Sequence, residues 1–282
     1  MIKTPLAGGA STTLWAGDSP PQQSPGPEGI AIDDGSVYWT VQTVQNGPAG
    51  QTDYAGDVLR MSKGGGAVTT LASGLNLVSG IAVDRTNVYA IDDRTLIQVP
   101  RGGGTVTTLA RTPESNFDQF GVAVNSTSVF WMGLVNYVGY VVLKVPIGGG
   151  GVTTLVSTHD EMEFVNLAAT ETNLYWPHGG GISSVPTAGG LVTTLAAGHV
   201  RTSGLAIDDS AVYWSNSGSL DRPEINRISF EGGAITMLAP VVRSDFVGVG
   251  WFGLTVTETG VFFATVLNGF PDSTAALLGV TK

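Results

Sequence analysis

Apolar and polar positions alternate along this chain with period two, in short bursts that recur in the same order. One burst reads apolar, small, apolar, polar, then a short turn, then an apolar–aromatic pair. Ile30-Ala31-Ile32-Asp33 leads to Val37-Tyr38-Trp39, and Ile81-Ala82-Val83-Asp84 leads to Val88-Tyr89. Val122-Ala123-Val124-Asn125 precedes Phe130-Trp131, and Leu167-Ala168-Ala169-Thr170 precedes Tyr175-Trp176. Leu205-Ala206-Ile207-Asp208 with Tyr213-Trp214, and Leu254-Thr255-Val256-Thr257 with Phe262-Phe263, complete the set. Alternation over four to eight residues, rich in Val, Ile, Thr, Tyr and Trp, predicts β-strands. No stretch of ten residues carries a helical period.

Two further bursts are interleaved with these. A short strand ends at Val99-Pro100, Val145-Pro146 and Val185-Pro186, with weaker copies at Met61-Ser62 and Ile228-Ser229. A Thr-Thr-Leu burst closes at Leu14, Leu71, Leu109, Leu155 and Leu195, with a variant at Leu238. These leucines recur roughly every 40 to 55 residues. A period of that length with four short strands per unit predicts the blades of a β-propeller. The expected fold class is therefore all-β: a six-bladed β-propeller with four antiparallel strands per blade. The strands are named A to D in chain order. One domain over 1–282 is expected, with blades at about 28–72, 78–110, 119–156, 164–196, 202–239 and 251–282. The chain opens with a lone D strand, about Ala10 to Trp15, and ends on A, B and C, the last at Leu277 to Lys282. Residues 2–15 are accordingly expected to complete the last blade and close the ring, which removes the sheet edges.

Composition narrows the function. Gly is 40 of 282 residues, about twice the usual share, which suits many tight turns. Lys and Arg number 13 against 23 Asp and Glu, a net charge of −10. That balance argues against a nucleic-acid partner and against an anionic membrane surface. No apolar run has the 18 residues of a membrane span. The absence of Cys excludes disulfides, thiolate metal sites and a Cys nucleophile. The first residues have no signal-peptide core. A secreted, periplasmic or outer-surface location is expected, with the signal absent from this chain, and a monomer is expected.

The Tyr-Trp copies after Gly-Ile-Ala-Val-Asp strands resemble the YWTD and NHL classes of six-bladed propeller. The closest resemblance is to Gly-Gly-Gly-x-Val-Thr-Thr-Leu repeat proteins of the secreted myxobacterial type, and it covers nearly the whole chain. The Thr-Asp that follows Tyr-Trp in the first class is missing: the chain has Trp39-Thr40-Val41, Trp176-Pro177-His178 and Trp214-Ser215-Asn216. The resemblance implies architecture, and such folds host receptors, lectins, lactonases and lyases alike.

Motifs for chemistry are sparse. Gly248 to Gly253 spells a dinucleotide fingerprint, but a strand follows it where a phosphate-binding helix would be needed. His159, His178 and His199 lack the spacing of a metal helix. Asp33, Asp84 and Asp208 stand at the ends of A strands, where a carboxylate caps its own turn. The recurring Trp39, Trp131, Trp176 and Trp214 read as inter-blade packing. The lactonase family, with one calcium in a six-bladed channel, offers a test: Glu28 and Asn166 are the two weak candidate metal ligands, set against Ser79, Phe120, Ser203 and Phe252 at the related positions. Two oxygens make a thin calcium cage, so no cofactor is expected.

The connections A–B and C–D are short throughout, whereas D–A and B–C carry all the irregular length, including 17–28, 41–57, 132–140, 157–165, 240–250 and 266–274. Insertions gathered on one face of a repeat protein mark its binding face. Tyr54, Asn136, Tyr137, His178, Asn216 and Trp251 are the expected contacts there, ringed by Glu28, Asp118, Glu163 and Arg201. Aromatics beside amides and carboxylates suit a glycan, a peptide or another small-molecule or protein ligand. The leading expectation is a non-catalytic binding module, with no catalytic residue. The alternative is a lactonase-like hydrolase or a streptogramin-lyase-like enzyme, with a metal at the channel mouth.

Overall fold

A computed structural model describes residues 2–3, 12–13, 26–46, 52–112, 117–135, 139–159, 166–178, 181–198, 202–216, 224–240, 254–256, 260–267 and 274–281. No helix occurs among them. They form β1 (Ile2–Lys3) and β2 (Thr12–Thr13), which pair with each other, followed by six antiparallel sheets. The first sheet is β3 (Gly26–Ile32), β4 (Ser36–Asn46), β5 (Thr52–Ser62) and β6 (Thr69–Leu75). The second is β7 (Val78–Val83), β8 (Asn87–Asp92), β9 (Thr95–Pro100) and β10 (Thr107–Arg111). The third is β11 (Phe117–Val124), β12 (Ser128–Val135), β13 (Gly139–Pro146) and β14 (Thr153–Thr158). The fourth is β15 (Ala168–Ala169), β16 (Asn173–His178), β17 (Gly181–Pro186) and β18 (Thr193–Ala196). The fifth is β19 (Thr202–Ile207), β20 (Ala211–Asn216), β21 (Glu224–Ser229) and β22 (Thr236–Pro240). The sixth has three strands among the described residues, β23 (Leu254–Val256), β24 (Gly260–Leu267) and β25 (Thr274–Thr281).

The chain divides into two compact units, one of residues 16–159 and one of residues 160–282 with 1–15. Within the first unit the A strands β3, β7 and β11 lie side by side; within the second, β15, β19 and β23 do so. The period-two pattern explains each core. Tyr38, Val58, Val88 and Ile97 pack together between the first two sheets. Tyr89, Val122, Trp131 and Leu143 do so between the second and third. In the other unit, Tyr175, Ile182, Leu205 and Trp214 form the corresponding cluster. All four recurring tryptophans are fully buried.

The A–B and C–D turns of five sheets are tied to each other by a main-chain bond, as in Lys63 N to Gly35 O at 2.9 Å and Phe230 N to Ser210 O at 3.2 Å. The Gly-Gly turns have positive φ, for example 85° at Gly103 and 79° at Gly232. They also let a leucine of the preceding repeat approach: a Cβ on Gly232 would lie 3.9 Å from Leu195 Cδ1. The Asp turns are local carboxylate caps. Asp84 Oδ1 accepts the amides of Thr86 and Asn87, both at 2.7 Å, while Oδ2 accepts the Tyr89 hydroxyl at 2.7 Å.

One expected loop is different. The insert 41–57 continues β4 and β5 as a long hairpin, with Val41 opposite Asp57 and Asn46 opposite Thr52. Val41, Thr43 and Val44 favour an extended backbone, so added length became strand.

Candidate functional site

The D–A and B–C ends of the first two repeats carry the candidate site. Where four of the A strands begin, β3, β7, β11 and β19, the register against the B strand slips. The irregularity lies between Pro27 and Gly29, Ser79 and Ile81, Gln119 and Val122, and Thr202 and Gly204. A bulge of this kind breaks the in–out alternation and re-aims a side chain, and bulges concentrate beside active sites. In the first repeat the residue in the bulge is Glu28. Beside it Thr40, fully buried on β4, has no hydrogen-bond partner for its hydroxyl. A Cβ on Gly29 would lie 3.4 Å from that oxygen. In the fifth repeat the matching Ser215 hydroxyl accepts the Gly204 amide at 3.0 Å.

The row Pro27–Val41–Asp57 crosses β3, β4 and β5 at the level of the bulge. Two strand spacings put the Glu28 and Asp57 backbones about 10 Å apart. Burial raises the Asp57 carboxyl above its ordinary value, only partly offset by a bond from the Gly74 amide. Asp92, at the end of β8, accepts the Asn76 amide at 2.6 Å. Asp57 thus holds the end of β6, and Asp92 the connection from β6 to β7. Gly74 in β6 and Leu77 in the connection have φ of 71° and 46°. Neither acid stands out in the sequence. Asp57 lies in the stretch 41–57, and Asp92 shares the B-strand-end position of Val41 and His178, which is the one signal for it.

The predicted residues fare unequally. Tyr54 is exposed on β5. His178 ends β16, half-buried, with Nδ1 3.3 Å from Ser183 Oγ. Glu28, Asp118 and Asn216 lie in β3, β11 and β20, their side chains outside the described residues. Asn136, Tyr137, Glu163, Arg201 and Trp251 lie outside the described residues altogether.

Of the two metal candidates, Glu28 has its side chain outside the described residues and Asn166 is held by main chain. Asn166 Nδ2 donates to Leu205 O at 3.4 Å, and its Oδ1 accepts the Leu167 amide at 3.1 Å. The side chain spans a close approach that glycine makes elsewhere: a Cβ on Gly80 would meet Phe120 O at 2.6 Å. Among the described residues no three His, Asp or Glu side chains are grouped to hold a metal. Asn166, whose amide atoms are both taken by main chain, does not fit a metal ion. No helix among the described residues is long and apolar enough to cross a membrane.

No family model matches the sequence. No curated protein matches it significantly. Solved structures do. The chain is similar to a periplasmic gluconolactonase from Pseudomonas aeruginosa, at a TM-score of 0.61 and 10% identity, over 99% of this chain and 91% of that one. It is similar to regucalcin from Agrobacterium tumefaciens, a calcium-binding protein, at a TM-score of 0.60 and 13% identity, over 90% of both chains. It is also similar to an oligogalacturonate lyase in complex with manganese, at a TM-score of 0.55 and 11% identity, over 86% and 85%. These likenesses define the fold: an all-β protein of propeller type.

They also correct two expectations. The sequence put a non-catalytic binding module first and an enzyme second. Structures matched along nearly the whole chain carry the names of a lactonase and a lyase. The enzymatic alternative therefore takes the leading place.

Proposed function

We propose that this protein is a lactonase-like hydrolase of propeller fold, acting at the end of the first repeat that carries the B–C hairpin and the entry of β3. The observation that supports this most is the bulge at Glu28 with the half-buried Asp57 two strands away, whose carboxyl burial holds above its ordinary pKa. A half-buried carboxyl held above its ordinary pKa suits acid–base work. The end-to-end likeness to a gluconolactonase supports the same reading.

In this reading Glu28 takes a proton from water as the water oxygen bonds to the lactone carbonyl carbon. The ring C–O bond then breaks, and Asp57 protonates the departing oxygen. The unpartnered Thr40 hydroxyl beside the bulge is available to a polar substrate group or to water. Six blades, with residues 2–15 completing the sixth, and membership of the Gly-Gly-Gly-x-Val-Thr-Thr-Leu repeat class belong to the same proposal. They rest on the six sequence copies. A secreted or periplasmic location also remains part of it.

A pH-stat assay with glucono-δ-lactone and a panel of γ- and δ-lactones tests the proposal, with and without chelator. Turnover above the spontaneous rate is expected. Glu28→Gln and Asp57→Asn are each expected to lower kcat about a hundredfold, the usual scale of general acid–base catalysis. Absence of turnover across the panel, or full activity in both variants, would overturn it.

A further inference from the structure

A groove of 490 Å³ opens between the fourth and fifth repeats, on the short-turn side where no ligand was expected. Its walls are Leu191, Thr193 and Ser184 of the fourth repeat and Phe230 and Glu231 of the fifth, with Asn173 at one end. We propose that this groove is a carbohydrate subsite for a neutral or amino-sugar unit, separate from the site of the first repeat.

Repetition shows which of these residues the fold requires. The position of Leu191 is Ala67, Thr105, Gly151 and Ala234 in other repeats. Leu191 is 85% exposed, so it serves no core. A single exposed leucine is ordinary on a protein surface, but this one lines the groove together with Phe230, so the two give it an apolar side. The position of Phe230 is Arg101 and Ile147 in the second and third repeats. Here the ring stacks on Tyr175 at a centroid distance of 5.1 Å, which fixes it as a rigid wall.

The polar lining determines the ligand class. Ser184 and Thr193 share a hydroxyl–hydroxyl bond of 2.8 Å and sit at the surface, each able both to give and to accept. Glu231 adds a carboxylate acceptor and Asn173 an amide. Vicinal hydroxyls need such mixed donors and acceptors, while Leu191 and Phe230 offer apolar surface to the C–H face of a ring. No Lys or Arg is among the lining residues. A uronate or sugar phosphate would face Glu231 uncompensated.

Titrations of the full chain with N-acetylglucosamine, glucose, glucosamine and glucuronate, followed by amide NMR and calorimetry, test this. Saturable binding of at least one neutral or amino sugar is expected, with shifts at Leu191 and Glu231. Glucuronate should bind about tenfold more weakly. Leu191→Ser should weaken the sugar about tenfold without moving Tm, because the side chain is in solvent. Glu231→Gln should narrow the difference between glucosamine and glucuronate. No saturable binding by any of the four sugars would overturn the proposal. So would equal affinity for glucuronate, undiminished binding in Leu191→Ser, or occupancy of the groove only by a basic peptide. None of these outcomes depends on lactone turnover.

Discussion

Arg101 donates from Nε to the hydroxyl of Tyr38 at 2.9 Å, joining the C–D turn of the second repeat to the B strand of the first. The same hydroxyl donates to Asp33 Oδ2 at 2.7 Å, and Arg101 also forms an ion pair with Asp33. The guanidinium lies 5.9 Å from the Tyr38 ring centroid. Elsewhere the same place is filled by other means: Ile147 packs on the cluster that holds Tyr89, and Phe230 stacks on Tyr175. One inter-repeat position thus closes over an aromatic ring by charge, by aliphatic packing or by stacking.

Arg101→Ala should therefore destabilise the protein by about 1.5–3 kcal/mol, the range for a hydrogen bond to a charged group. Arg101→Lys should recover little, since an ammonium lacks the planar fork that reaches Tyr38 and Asp33 together. Urea unfolding midpoints at constant slope measure both. A midpoint for Arg101→Ala equal to that of the parent would show that the bridge contributes nothing.

The fold was legible because each repeat states it again. Alternation predicted the strands, and the Asp–turn–Tyr spacing carried a local mechanism that the hydrogen bonds of Asp84 bear out. The bridge itself was not legible. Nothing in Val-Pro-Arg101 says that the side chain turns back to Tyr38, 63 positions earlier. The site was harder still. Glu28 drew attention by its place before Gly29-Ile30, but Asp57 sits in a stretch whose β-branched residues extend a hairpin instead of forming a loop. Its raised pKa comes from burial, which no local pattern encodes.

The acid limb of stability should carry the mark of two carboxylates. Burial opposes the charge on Asp33, but bonds from Tyr38, Gly35 and Ser36 and the charge of Arg101 outweigh it and hold its pKa below the ordinary 3.8. Asp84 is lowered in the same way, with burial again outweighed by the amides of Thr86 and Asn87 and by Tyr89. The folded state then binds protons less readily than the unfolded one. Stability is complete above the ordinary carboxylate pKa and falls as pH drops through it toward the folded values. Melting temperatures between pH 6 and about 2.5 should fall at the acid end. The double variant Asp33→Asn/Asp84→Asn should be less stable at pH 7 and flatter below about pH 4. An unchanged acid slope would sink this assignment.

Asp57 has the opposite sign. Its pKa is raised in the folded state, so its ionisation at neutral pH weighs against the fold, and protonation on acidification relieves the cost. Asp57→Asn should raise Tm at pH 7 by a few degrees while lowering lactone turnover, the trade expected where a site residue is kept at the expense of stability. A variant both less stable and fully active would contradict the role given to it.

Gly80 is fixed by two independent constraints. Its φ is 29°, and an added Cβ would lie 2.6 Å from Phe120 O on the neighbouring A strand. Gly80→Ala must push β7 and β11 apart at the bulge. A loss of about 2–4 kcal/mol is expected, larger than the ordinary cost of a non-glycine residue at positive φ because main chain cannot step aside. Chemical denaturation checks it, with Gly102→Ala as control, where an added Cβ meets nothing within 4 Å. Equal losses in the two variants would show that the close approach is not what glycine serves.

Removal of residues 1–15 tests how the last sheet is finished. That sheet has three strands among the described residues, β23 to β25, where four other repeats end on a Thr-Thr strand. The missing Thr-Thr pair occurs at Thr12–Thr13 in β2, and β1, its partner, lies next to β25 within the same compact unit. If residues 2–15 supply the outer strand, their loss exposes a ladder of unpaired main-chain groups along β25 and strips its apolar face. An exposed edge of that length invites aggregation. A loss of several kcal/mol is a large share of the stability of a domain, so the truncated chain should melt at least about 10 °C lower or fail to remain soluble. Supplying residues 1–15 as a separate peptide should restore part of the loss, because the binding energy of the strand adds to the folded state alone. A truncated chain that melts within about 2 °C of the parent, with no response to the peptide, would show that the last sheet is complete with three strands.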